Sequence, residues 1–320
     1  MSRNRSTRED WPELDWPSWS ETATTLHLWT QIVGKIRLVQ SPWTNHSWHV
    51  PLYVDCRGLT TSPIAHGARL FEIRFDFLDQ QLVIGTSSGL SARLDLRPRS
   101  VADFHGALFR ELELLGLDMR IHTTPCEIPD PIPFERDTVH HHYDAEAAAR
   151  FWRALLQADR VFREFRARFL GKCSPVHFFW GSFDLAVTRF SGRTAPPHPG
   201  GIPHLPDWVT REAYSHEVSS AGFWPGGGGV EQACFYSYAY PSPPGFPEAD
   251  VSPADAGWNP SLGEFLLPYA AVREAASPDE ALLAFLQSSY EAAARLAAWD
   301  RRALEKTPVS QDFDGAPSTP

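Results

Sequence analysis

Four prolines fall within ten positions at 125–134 (PCEIPDPIPF). Each fixes φ and removes a backbone donor, so the run reads as a stiff, extended connection rather than as part of a helix or a sheet. It splits the chain into an N-terminal half, 20–124, and a C-terminal half, 144–305, with the connection at 125–143. An arm at 1–19, pinned by Trp11, Trp16 and Trp19, precedes them, and a polar, Pro-rich tail at 306–320 is expected to be disordered. The 320 residues suit about two units of roughly 150 each.

The first half opens with a helix near 21–39, where Leu26, Trp29, Val33 and Ile36 form one apolar stripe and Pro42 ends the element. Alternation then predicts strands. Trp48, Val50, Leu52 and Val54 alternate with polar partners over 47–55, although Pro51 confines that strand to an edge or a bulge. Leu70–Phe77 alternates strictly, with Phe71, Ile73, Phe75 and Phe77 on one face. Strands at 81–84 and 90–96 follow, then a helix capped by Ser100 with Asp103 in a capping-box pattern and Gly116 at its end. A short strand is expected at 118–123.

The second half repeats this order. A helix at about 144–171 precedes strands near 175–181, 183–190, 213–220, 232–240 and 264–268, and a helix from Pro278 to about 305 closes it. Pro/Gly-rich loops are read at 194–207 and 241–260. Gly34-Lys35 before Ser41-Pro42 echoes Gly171-Lys172 before Ser174-Pro175, and each pair leads into a strand with a histidine. The fold expected is α+β: two antiparallel-sheet halves flanked by helices, with an internal duplication as one origin.

Acidic residues outnumber basic ones by 39 to 29, a net charge of −10, which speaks against a nucleic-acid surface. No run of about 18 apolar residues occurs, so no membrane span is expected. The four cysteines, Cys56, Cys126, Cys173 and Cys234, form no CxxC pair, which points to a reducing cytoplasm.

Chemistry is densest in Lys172–Arg193 (KCSPVHFFWGSFDLAVTRFSGR) and Tyr214–Gly229 (YSHEVSSAGFWPGGGG). Strand parity places Arg189 after three core-facing residues, where a guanidinium needs a carboxylate or an anionic ligand. A structural ion pair and an anion clamp both satisfy that need, and Glu217 is the candidate partner. His177, Asp184, Thr188 and Arg193 are the other polar groups of the first stretch, and His216 and Glu217 those of the second. The glycine run 226–229 fits neither the P-loop nor the dinucleotide fingerprint and reads as a hairpin loop. Trp180, Trp224, Tyr236 and Tyr238 are the aromatic groups expected to wall a pocket where the halves meet.

Thirteen histidines raise the question of a divalent metal. The candidate ligand set is His177, His216 and Glu217; neither His46/His49 nor the triplet 140–142 has HExxH spacing. No GxSxG elbow occurs, and Cys173 near His177 reads as a small buried thiol before it reads as a nucleophile.

At HFFWGSFDLAVTRFSGR and YSHEVSSAGFWPG the chain resembles a bacterial family of unknown function, DUF5996. GKIRL at 34–38, RGLTT at 57–61, PRSVADF at 98–104, PIPFERD at 131–137 and GEFLLPY at 263–269 extend the likeness over about 10–305. The resemblance implies one integrated unit and carries no reaction, cofactor or catalytic residue with it.

The sequence thus leads to a cytosolic enzyme acting on a small, anionic molecule. Arg189 or Arg193 would hold the anion, with His177 or His216 as acid or base and Asp184 or Glu217 orienting it, with or without a metal. The alternative is a non-catalytic protein holding a ligand or peptide in the same aromatic and arginine pocket. A third reading gives all these residues structural roles.

Overall fold

The computed structural model describes residues 6–306, so the disorder expected of the tail falls, beyond Lys306, outside the described residues. In the first half, α1 (Trp16–Gln40) leads into β1 (Tyr53–Val54), β2 (Gly58–Thr60), β3 (Ile64–His66), β4 (Arg69–Asp76), β5 (Gln81–Thr86) and β6 (Ser91–Asp95). The sheet is antiparallel in the order β1-β2-β4-β5-β6, and β3 pairs with the start of β4. Period-two alternation buries Phe71, Ile73 and Phe75 of β4, while Glu72 and Arg74 point outward to pair with each other and with Asp55. Phe104 of α2 (Val101–Leu114) stacks on Phe75, so this helix covers the sheet's inner face. Ser100 Oγ accepts from Asp103 N at 3.1 Å, as the cap pattern predicts, and Gly116 ends the turn at φ +66°.

The second half runs through α3 (Ala145–Ala167), β7 (His177–Phe179), β8 (Asp184–Thr194), α4 (Asp207–Ala213), β9 (His216–Trp224), β10 (Cys234–Tyr240), β11 (Gly257–Asn259) and β12 (Glu264–Pro268). It ends with α5 (Tyr269–Glu274), α6 (Pro278–Leu296) and α7 (Arg301–Leu304). Its antiparallel sheet has the order β11-β12-β10-β9-β8-β7. The α+β architecture is therefore as expected, and both halves follow one course: helix, antiparallel meander, helix. Leu52 and Phe178 join them by exchanging two backbone hydrogen bonds of 2.9 Å. The leading strands of the two meanders thus meet antiparallel, as equivalent segments do about a two-fold axis.

α1 lies at the seam of the halves. Trp29 stacks on Phe104 at 4.5 Å on one side, and His27 stacks on Phe183 at 5.0 Å on the other. Gly34 is needed because Trp180 packs on its Cα; a Cβ there would stand 2.2 Å from the indole. One hydrophobic core runs through both halves, from Trp29 and Phe75 to Phe162 and Phe235. Burying side chains of this size contributes about 1.5–3 kcal/mol each, which couples the halves into one unit.

Several expectations need correction. Trp16 and Trp19 belong to α1, not to an irregular arm, since Pro17 is tolerated in a first helical turn. Trp11 does pin the arm, buried against Phe235 and Tyr269 of the second half. Only Tyr53–Val54 of the segment 47–55 is strand; Pro51 lacks a donor, and His46 and Ser47 adopt positive φ in a tight turn. Residues 118–123 are irregular. The short elements β2, β3, β11, α4 and α5 lie among prolines and glycines, where three to seven residues leave no periodic signal.

The halves differ in what covers their outer faces. The first sheet shows solvent a lattice of ion pairs, Arg57 with Asp76 and Asp79 and Arg74 with Asp55 and Glu72. The outer face of the second sheet is overlain by the connection and by the 195–215 segment, which are tied together by Glu127 N–H donating to Pro203 O at 2.8 Å. Among the described residues no helix is long and apolar enough to cross a membrane.

Candidate functional site

The two chemistry-rich stretches are adjacent. β8 pairs with β9 from Leu185↔Phe223 to Phe190↔Val218, then shifts register to Thr194↔His216. Alternation divides their polar groups between the faces. Arg189, Ser219 and Glu217 share the inner face with Leu185 and Phe223. Asp184, Thr188, Ser220 and His216 share the outer face, where β10 adds Tyr236 and Tyr238 and β12 adds Glu264.

A polar cluster forms on that outer face around Asp184. Its buried carboxylate accepts hydrogen bonds from Ser182 Oγ and from the Tyr236 hydroxyl. Gly222 makes room for Tyr236: a Cβ there would stand 2.3 Å from the phenol. Tyr236 and Tyr238 stack at 6.1 Å, Tyr238 OH meets Tyr214 OH at 2.7 Å, and Thr188 Oγ1 meets Ser220 Oγ at 2.8 Å. The connection contributes Glu127, held at φ +61°, with its carboxylate laid on the Cα of Gly181. Neither the Glu127 nor the Glu264 carboxylate has a hydrogen-bond or ion-pair partner among the described residues, and both residues are half-buried.

The electrostatics follow from that arrangement. Burial pushes Glu127 and Glu264 up to about 7, and the nearby charge of Asp184 adds to both shifts. Asp184 is itself raised by burial, against the lowering effect of its two hydroxyl donors. Tyr214 is pushed to about 12 and Tyr236 and Tyr238 well above the ordinary phenol, so all three stay protonated donors near neutrality. Among the described residues no cation balances the three carboxylates.

The other sequence-derived candidates lie elsewhere. His177 is walled in by Trp48, Tyr53 and Phe179, and neither ring nitrogen has a hydrogen-bond partner. Burial, with Arg37 and Arg166 nearby, lowers it to about 3, so it stays neutral and is no acid–base group at pH 7. Trp180 is buried on α1 and donates to Val50 O at 2.8 Å. Trp224 is half-buried over Gly228 in the β9–β10 turn, where the glycine run wraps Trp16. His216 is half-buried, with Ser215 Oγ at 3.0 Å from Nδ1 and the His46 ring at 6.1 Å.

The metal reading is corrected on the same grounds. His216 and Glu217 point to opposite faces and His177 is enclosed by aromatics. Among the described residues no group of three or more His, Cys, Asp or Glu side chains is arranged to hold a metal ion.

The Arg189–Glu217 pairing is also corrected. Glu217 pairs instead with Arg193, at 2.6 Å, because the register shift before Thr194 brings Arg193 beside it. Arg189 is only 1% exposed. Its guanidinium lies 3.4 Å from the Phe165 ring centre and 4.3 Å from that of Tyr290, donating to Phe165 O. Burial brings it down to about 10, and an anchor for a soluble anion it is not. A buried charge resting on ring faces and one carbonyl gains little over an apolar side chain of the same size. Arg189→Met is therefore expected within about 1 kcal/mol of the parent or above it, whereas Arg189→Ala loses about 3 kcal/mol to the cavity it leaves. Urea unfolding of both variants checks this; a Met variant as damaged as the Ala variant would show that the charge itself is needed.

Sequence reasoning found Asp184, Tyr236 and Tyr238 of the cluster and missed Glu127, Glu264 and Tyr214. Glu264 carried a signal, since it alternates with Phe265 and Leu267 at a strand start. Glu127 carried none: the Pro-rich connection has no period from which a facing direction follows.

No curated protein and no solved structure matches the chain. A family model does, over residues 11–306, a range that includes the strands that carry Asp184, Gly222 and Glu264. The chain belongs to the family of unknown function DUF5996.

Proposed function

We propose that the protein binds a small organic ammonium compound at the Asp184 cluster in a reducing, cytoplasmic setting, with Glu127 and Glu264 as the groups that exchange protons with it. The observation that carries this reading is three neighbouring carboxylates, Glu127, Asp184 and Glu264, with no cation beside them among the described residues. An ammonium group supplies the missing charge, and the Tyr236 and Tyr238 rings offer faces that attract it. Two carboxyl groups titrating near 7 are suited to accept or return a proton at cellular pH. The small-molecule partner expected from the sequence is kept; its charge is reversed, because Arg189 is in the core and Arg193 is engaged by Glu217. The free state of all four cysteines agrees with the compartment.

Calorimetric titration with a panel of primary and quaternary amines tests the reading. A binding amine should gain affinity about tenfold between pH 6 and pH 8, as the two glutamates ionise. Asp184→Asn should weaken it at both pH values. Affinity that is flat across that range, or no amine binding at all, rejects the assignment.

A further inference from the structure

A second place for a ligand lies on the opposite face of the same sheet. A groove of about 340 Å³ runs between β9–β10 and the end of α6, within the size range of small-molecule sites. Ala239, Pro243, Leu296 and Trp299 make its walls apolar.

Its polar equipment is sparse and specific. Glu217 stands at one end, with both Arg193 hydrogen bonds falling on Oε2 and Oε1 left without a partner among the described residues. Arg193 also donates to Ala297 O at 2.5 Å, which ties the end of α6 to Glu217, and the ion pair neutralises Glu217. Trp299, 7% exposed, lines the groove and has an Nε1 with no hydrogen-bond partner. Beside Tyr240 and the exposed Ser242 at its rim, the trough thus holds an unused acceptor on Glu217 and an unused donor on Trp299, and the Arg193–Glu217 pair leaves no net charge there. The indole N–H, buried and unpaired, costs free energy until an acceptor satisfies it.

We propose that this groove binds a neutral amphiphile, an aliphatic body bearing a hydroxyl or primary amide that donates to Glu217 and accepts from Trp299. A carboxylate head is disfavoured, since it offers Glu217 no proton and brings a like charge beside it. A bare alkyl chain leaves both polar groups unpaired. The proposal is independent of the ammonium site, which faces the other way.

Octan-1-ol, octanamide and octanoate are the probes, and the indole N–H resonance of Trp299, assigned with Trp299→Phe, is the readout. Octan-1-ol and octanamide should shift it saturably, at least tenfold more tightly than octanoate. Glu217→Gln should narrow that preference, and Ala239→Trp, which fills the trough, should remove the shift. Should Ala239→Trp fail to fold, Leu296→Glu at the exposed rim serves the same purpose. An unmoved resonance, equal binding of octanoate, or a shift that survives the filling variants overturns the proposal.

Discussion

At pH 8 the variant Glu127→Gln is expected to be about 3 kcal/mol more stable than the parent protein, and at pH 4 nearly equal to it. Glu127 is raised from 4.5 to about 7 by burial and by the charge of Asp184. The folded state therefore holds this proton more tightly than the unfolded chain does. Its contribution is fully present below pH 4.5 and is lost as pH rises through 7. Glutamine keeps the shape of the protonated acid and has no proton to lose, so the advantage opens across that window. Glu264→Gln should behave alike, and the double variant should gain less than the sum, because both glutamates are coupled to Asp184. Urea denaturation at intervals between pH 4 and 8 measures the curve. A constant offset across the range would mean that Glu127 is ionised throughout, and with it the proton-exchange role would go.

His177→Leu is expected to stabilise the protein by about 2 kcal/mol at pH 7 and about 4 kcal/mol at pH 5. The first figure comes from two buried ring nitrogens that find no partner and are replaced by an apolar group of similar volume. The pH dependence has the opposite sense to that of Glu127. His177 is depressed from 6.5 to about 3, so the unfolded chain takes up the proton first. The parent protein thus loses stability as pH falls below 6.5, and the leucine variant escapes that loss. Thermal unfolding at the two pH values decides the matter. A variant less stable than the parent at pH 7 would mean that the imidazole has a hydrogen-bond partner in solution and is not a passive filler.

Much of the architecture was legible in the chain. The alternation in Leu70–Phe77, the Ser100 cap and the helix from Pro278 each survive into β4, α2 and α6, because burying one face of one element is a local demand. Strand parity also accounts for β8 and β10, where Asp184 shares a face with Thr188 and Tyr236 with Tyr238. Parity says which residues share a face and not what lies against that face. Arg189 was assigned to the core side correctly, yet its company there is Phe165 and Tyr290, two rings from helices far along the chain.

Local periodicity by itself determined the main helices and antiparallel strands and the pairs of side chains that project together. Tertiary structure alone decided that the Pro-rich connection folds back to lay Glu127 on Gly181 beside Asp184, and that a register shift gives Arg193, rather than Arg189, to Glu217. The reason is physical: facing direction repeats every two or 3.6 residues and can be read along a chain. Which charges lose their water together depends on distances between segments that share no period.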